Sequence, residues 1–136
     1  MILKSIKYFT AGIHVLIKKG DLYLVLRRRQ DDLDDPNCWD LPGGGIDYGE
    51  QPFSALEREV AEETGLKIKV TSLLTTWGLS PRPERWSIEL LAQAEYVSGE
   101  VKISPEHSDH KWLGREELLV LEPRSEHLKA LVNIWR

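Results

Sequence analysis

Cysteine is nearly absent from this chain: Cys38 is the only one in 136 residues. No disulfide can form within the chain, and no thiolate zinc site can be assembled. Long apolar runs are missing too, since no stretch reaches the about 18 residues of a membrane helix. A basic excess is also lacking. Lys and Arg number 18 against 22 Asp and Glu, for a net charge of -4, which argues against general nucleic-acid binding. Nucleotides stay open as partners, because a metal ion can offset local negative charge. The N-terminal stretch from Met1 to Ile17 has lysines ahead of a short apolar segment, without the core and cleavage site of a secretory signal. A strand is expected there, and the cytoplasm is the expected location. Repeats, low-complexity tracts and linkers do not occur.

What is present suits one domain over residues 1–136. At 41% hydrophobic residues the composition excludes disorder. Ala11, Ile13, Val15 and Ile17 alternate with other residues, and Leu22, Leu24 and Leu26 resume the alternation after Lys19-Gly20-Asp21, which predicts a β-hairpin. Gln30 to Asn37 holds aspartates and Pro36 and predicts a loop. Pro52 suits a helix start; Phe53, Leu56 and Val60 recur at helical spacing, and Thr64-Gly65 supplies a stop. Strands are predicted over Leu66–Thr75 and Trp86–Tyr96, with a loop from Ser80 to Arg85 between them. Another short strand is predicted within Val97–Ser104, after a turn at Ser98-Gly99. A final helix is capped by Ser125, with Leu128, Leu131, Val132 and Trp135 on one stripe. Such a mixture predicts two or three layers around one sheet.

The chemistry concentrates between Gly44 and Leu66. Glu59, Glu62 and Glu63 stand at i, i+3 and i+4 of the predicted helix, so their carboxylates share a face. One reading is a solvated acidic face. The other is a site for a hard divalent cation, which takes oxygen ligands.

The surrounding residues match the Nudix box, a glycine, five residues, a glutamate, seven residues, then Arg-Glu-aliphatic-x-Glu-Glu-x-Gly-aliphatic. Gly44, Glu50, Arg58-Glu59-Val60, Glu62-Glu63 and Gly65-Leu66 fill every fixed position. The chain thus resembles a Nudix (MutT-like) hydrolase over residues 8 to 122. The resemblance implies an α/β (α+β) fold, a Nudix α/β/α sandwich with a mixed β-sheet and a loop–helix–loop catalytic motif. It implies pyrophosphohydrolysis of a nucleoside diphosphate linked to another group, with Mg²⁺ (or Mn²⁺) as cofactor. Glu62 and Glu63 are then the main metal ligands and Glu59 a ligand or the base. The carbonyl of Gly43 joins the metal shell, and Arg58 holds a carboxylate in place. Glu106 is an extra ligand or base in the same resemblance, and an exposed loop acid otherwise.

Histidines at His107 and His110 are possible by type as ligands, against ordinary loop histidines. His14 is expected to be structural. Alternation sends Arg27 and Arg29 to one side of their strand and Arg28 to the other, and Arg27 or Arg29 is a candidate phosphate contact, against a solvated strand end. Arg82, in the loop before Arg85, is expected to bear on substrate choice. Trp77 is a candidate for base stacking against a core role. Pro81 follows the box at the distance reported for ADP-ribose pyrophosphatases. Nucleoside triphosphates (deoxy or ribo) and nucleotide sugars such as ADP-ribose rank level as substrates, ahead of dinucleoside polyphosphates and capped RNA. The alternative is a non-catalytic nucleotide-binding sensor, although no box carboxylate is missing. Family members are often dimers, and the N-terminal strands are expected to offer a homodimer an edge.

Overall fold

The computed structural model describes residues 6–136. Seven strands form one mixed sheet: β1 Tyr8–Lys19, β2 Leu22–Arg28, β3 Trp39–Asp40, β4 Gly43–Gly45, β5 Lys67–Arg82, β6 Arg85–Ser98 and β7 His107–Leu113. Three helices accompany them, α1 Pro52–Thr64, α2 Arg115–Val120 and α3 Glu126–Trp135. Among the described residues, no helix is long and apolar enough to cross a membrane.

The main sheet order is β3-β2-β1-β6-β5, with β4 paired to β1 and β7 to β2. Only the β1–β6 pairing is parallel. β1 therefore lies inside the sheet, while β5 and β7 are each paired on one side only. The period-2 alternation of β1 splits its side chains between two cores. Ile13, Val15 and Ile17 pack with Leu56 and Val60 of α1. Leu16, one step out of phase, packs with Leu118 of α2 and Leu128 and Leu131 of α3. The sheet is thus a shared wall with apolar helix stripes on either face.

Several predicted elements are longer or differently placed. The β5–β6 hairpin consumes most of the expected Ser80–Arg85 loop, because Arg82 already pairs with Arg85. No strand forms over 99–104; the next is β7, within the stretch read as a loop, and it is secured by pairing with β2 from Tyr23↔Leu113 to Arg28↔His107. α2 has only six residues, too few for a periodic signature. Helix α1 starts at Pro52 and stops at Gly65, as its punctuation predicts. The capping of α3 by Ser125 also holds: its Oγ accepts from Leu128 N–H at 3.2 Å.

Ser125 does more than cap. Its hydroxyl donates to Asp40 Oδ1 at 2.6 Å, fastening α3 to the strand ahead of the glycine run. Ser125→Ala removes the cap and leaves a buried carboxylate short of one donor, at a cost of about 2 kcal/mol. The melting temperature should fall by on the order of 5 °C. A thermal unfolding curve at neutral pH checks this; no shift would mean that neither bond holds α3.

Candidate active site

Helix α1 presents its acidic face to the glycine run of β4. The two are close because β4 pairs with β1 (Gly12↔Gly45 to His14↔Gly43) while Leu56 and Val60 seat α1 on the same strand's core face. At Gly44 a Cβ would lie 2.6 Å from the Glu59 carboxyl carbon, so only glycine permits the contact. Gly43 has φ 152 and its space for a Cβ is taken by the Ile13 carbonyl and His14. Its N–H donates to Glu63 Oε1 at 3.1 Å.

Glu59, Glu63, Glu106 and Gly43 line one cleft of about 370 Å³, together with His14, Arg28 and Glu89. Glu63 is only 4% exposed. Its Oε2 lies 3.5 Å from His107 Nε2. Burial holds the His107 imidazole below its ordinary value, so that histidine supplies no full charge. Burial pushes the Glu63 carboxyl up to about 9 against the Gly43 N–H, with Glu59 and Asp40 adding repulsion. Glu59 is raised as well, by burial first, with Arg58 opposing and Glu62 and Glu106 adding. Ligand atoms of Glu63, Glu106 and His107 lie within 4.8 Å of one another. This set of crowded oxygens fits a divalent cation, which would satisfy Glu63 and relieve the repulsion.

The other expected residues take distinct places. Glu62 stands at the rim with its side chain 58% exposed, outside the cleft lining. Arg58 reaches Glu62 at 3.4 Å, but its stronger bonds go elsewhere. It grips Glu50 with two nitrogens, at 2.7 and 2.9 Å, and Glu59 at 2.9 Å. That fork brings the Glu50 carboxyl down to about 2, with help from the Asp47 N–H. Arg58 thus orients Glu59 and ties the loop before α1 to the helix.

Glu106 is exposed but borders the cleft, and His107 joins it; His110 pairs along β7 with Leu26 and lies outside the lining. Arg27 and Arg29 also lie outside. Arg27 donates to Asn37 O, Arg29 pairs with Asp31, and both line a separate hollow. The alternation holds, with Arg27 and Arg29 together and Arg28 opposite, but the cleft lies on the other side from the one expected, so Arg28 is the arginine that lines it. Similarly Arg82 is exposed at the hairpin end, whereas Arg85 reaches the cleft. Trp77 packs in the second core and outside the cleft, 6.0 Å from the His127 ring.

Two residues escaped the sequence reading, Asp40 and His127. Asp40 Oδ1 accepts from Leu41 N–H at 2.7 Å and the Ser125 hydroxyl, and lies 3.1 Å from His127 Nδ1; Oδ2 accepts from Arg28 at 3.0 Å. Burial opposes its ionisation, yet the charge and hydrogen bond of His127 hold it well below the usual carboxylate range. His127 responds in kind. Burial would lower it, but Asp40 and then Glu89 push it up to about 10. His14 stacks on it at 3.4 Å between ring centroids, and burial followed by the His127 charge pushes His14 down to about 3. His14, Asp40 and His127 have metal-ligating atoms close together. Nevertheless the near-parallel rings, 16° apart, put a shared ion out of both ring planes, and His127 Nδ1 is already engaged. The trio is a buried ion pair with a neutral histidine laid over it.

That pair carries a pH signature. The folded value of His127, about 10, exceeds its reference value of 6.5, so its stabilisation is complete below pH 6.5 and lost as pH rises toward 10. His127→Gln should flatten the alkaline fall in stability across this window. Urea denaturation at several pH values measures it; parallel curves for both proteins would disprove the charged pair.

Comparison with known proteins agrees with this architecture. The NUDIX domain model matches residues 8–133. The nucleoside triphosphatase NudI of Escherichia coli is 31% identical over 115 residues, covering 76% of this chain and 81% of that protein. The crystal structure of the MutT protein from Methanosarcina mazei superposes with a TM-score of 0.81 at 26% identity, over 93% of this chain and 92% of the other. An ADP-ribose pyrophosphatase from Streptococcus suis shares the fold, with a TM-score of 0.68 at 17% identity over 92% and 87% of the two chains. On its box, its glycine-flanked acidic helix and these matches, the chain belongs to the Nudix hydrolase family.

Proposed function

We infer that this chain is a Mg²⁺-dependent pyrophosphohydrolase of nucleoside triphosphates. The observation that supports it is the near-complete burial of Glu63 among Glu59 and Glu106 without a compensating cation among the described residues. Isolated folding gains nothing from that crowding; a substrate escorted by a divalent ion relieves it. The triphosphate reading draws on the similarity to NudI. Nucleotide sugars are the second reading, supported by Pro81, which lines a hollow that shares Arg28 and Arg85 with the cleft, and by the ADP-ribose pyrophosphatase of like fold.

The residues divide the work as follows. Glu59, Glu63 and Glu106, with the Gly43 carbonyl and Glu62 from the rim, would hold the metal. Bound there, the ion supplies charge neutralisation on phosphate oxygens and a lowered pKa for an attacking water. Glu59, oriented by Arg58, would serve either as one of these ligands or as the base that accepts a proton from the attacking water. Arg28 lines the approach to the same cleft, although Asp32 and Asp40 already engage it.

Replacing Glu59 or Glu63 by Gln should lower turnover of a nucleoside triphosphate by roughly 100-fold or more. Metal-free Glu63→Gln should melt at the same temperature as the parent or higher at neutral pH, because folding the parent must protonate a carboxyl that burial pushes up to about 9. Phosphate release with Mg²⁺, beside a thermal melt, tests both statements; full turnover in the variants would remove these carboxylates from the chemistry.

Gly44→Ala offers a steric test. Its Cβ must displace Glu59, whereas at Gly45 the nearest atom to a Cβ is 4.0 Å away. Gly44→Ala should lower kcat by about 10-fold or more and Gly45→Ala by far less. Steady-state rates at saturating Mg²⁺ compare them; equal rates for the two variants would refute the contact.

A further inference from the structure

The cleft has a second wall that pyrophosphate chemistry does not use. Along β6, Arg85, Ser87 and Glu89 alternate onto the face that carries α3, and all three line the cleft. Glu89 is 9% exposed. Its Oε1 accepts from the Ser87 hydroxyl at 3.3 Å and lies 3.9 Å from His127 Nε2. Its Oε2 has no partner. That oxygen rests against Gly12 on β1, in the space where any Cβ would stand. A side chain is thus forgone on a central strand to admit a carboxylate whose bonding is left incomplete. Buried acceptors are seldom left so, because each costs free energy until a donor arrives.

A hollow of about 400 Å³ continues from this wall and shares Arg28, Arg85, Glu89 and His127 with the cleft. Leu79 and Pro81 of the β5–β6 hairpin and Leu33 of the 30–37 loop also line it. Leu33 is 94% exposed, an apolar side chain held beside a polar floor. Apolar flanks around a few polar groups suit a flat heterocycle with hydrogen-bonding edges.

We propose that this hollow receives the nucleobase and that Glu89 selects bases bearing an exocyclic amino group. The proposal rests on the reading of the chain as a nucleoside triphosphate hydrolase. An ionised carboxylate accepts hydrogen bonds and donates none. Cytosine, adenine and guanine offer amino donors to such a group, and a carboxylate accepting from the cytosine amino group is an established pairing in base recognition. Uracil and hypoxanthine present a carbonyl oxygen where cytosine and adenine present the amino group, and that oxygen repels the carboxylate. Rotation about the last torsion of Glu89 brings its two oxygens to the base edge in turn. Asp34, Asp35 and Glu126 add acceptors around the hollow, while Arg85 supplies donors for a base carbonyl or ring nitrogen.

The test uses pairs that differ only in the base edge, CTP with UTP and ATP with ITP. With Mg²⁺ the parent protein should favour CTP and ATP in kcat/KM by roughly 10-fold or more, the scale of a charged hydrogen bond. Glu89→Gln, which offers a donor and an acceptor, should bring each ratio to within about 3-fold. Glu89→Asp should keep the sign of the preference. Calorimetric binding of the non-hydrolysable α,β-methylene analogues of CTP and UTP should give the same order, and thermal melts check that the variants fold. Triphosphates cleaved or bound equally within each pair, or a ratio unchanged in Glu89→Gln, would overturn the role of Glu89. If no triphosphate is cleaved while the analogues are still discriminated through Glu89, the proposed reaction fails and the base site stands.

Discussion

The buried carboxylate of Asp40 is the fixed point of this molecule. It sits at the end of β3, three residues before Gly43, and four donors converge on it, one from the adjacent Leu41 and three from two other parts of the chain. Arg28 brings β2, Ser125 and His127 bring α3, and the Leu41 N–H sets the local turn. An ionised group taken out of water is tolerable only when so completely met. Because its satisfaction needs all of them in place, the position of the glycine run is tied to the packing of α3 on the sheet. The Gly43 N–H can then hold Glu63.

Across the cleft the electrostatics are opposite in kind. Around Asp40, burial is offset by donors and a positive imidazolium. Around Glu63, burial is met by one backbone N–H, a neutral histidine and two more carboxylates. Arg58 does not resolve this, since its fork is committed to Glu50 and Glu59 on the outer side of α1. The fold therefore holds one saturated charged centre and one unsaturated centre about the same loop. Rigidity of the first lets the second be held in a state that would otherwise relax by turning its carboxylates toward water.

Much of the unsaturated centre was legible in the sequence, because Gly43, Glu59 and Glu63 lie within one helix and the loop before it, whereas Glu106 and His107 join them at the start of β7. Pro52, Gly65 and the spacing of Glu59, Glu62 and Glu63 depend on local rules, and the structure keeps them. The β1–β2 hairpin and the capped C-terminal helix were legible for the same reason. Legibility failed where long-range pairing decides. β7 has polar residues and no clean alternation, and only its pairing with β2 makes it a strand. The alternation of the arginine run was legible, but which of its sides faces the cleft depends on the placement of β4 and α3, so Arg28 and not its neighbours lines it. Arg85 rather than Arg82 reaches inward because the hairpin turn is shorter than its prolines suggest. Asp40 and His127 could not be paired from spacing, since 87 positions separate them.

This division has a chemical counterpart. Metal and pyrophosphate are common to many nucleotides, and most of the groups proposed to handle them lie in one continuous stretch. The remainder of a substrate varies, and the wall facing it is assembled from β6, α3, the 30–37 loop and the hairpin end, segments that meet only in the folded chain. Substitutions in those segments leave α1 and the glycine run undisturbed provided the Asp40 centre survives. His127 is the exception, because it touches both: its Nδ1 lies against Asp40 and its Nε2 faces Glu89. Changing the substrate wall at that position also changes the anchor of the glycine run. The wall can therefore vary at Leu33 without touching that centre, at Glu89 only by weakening one support of the His127 charge, and at His127 only by changing the charge that holds the loop.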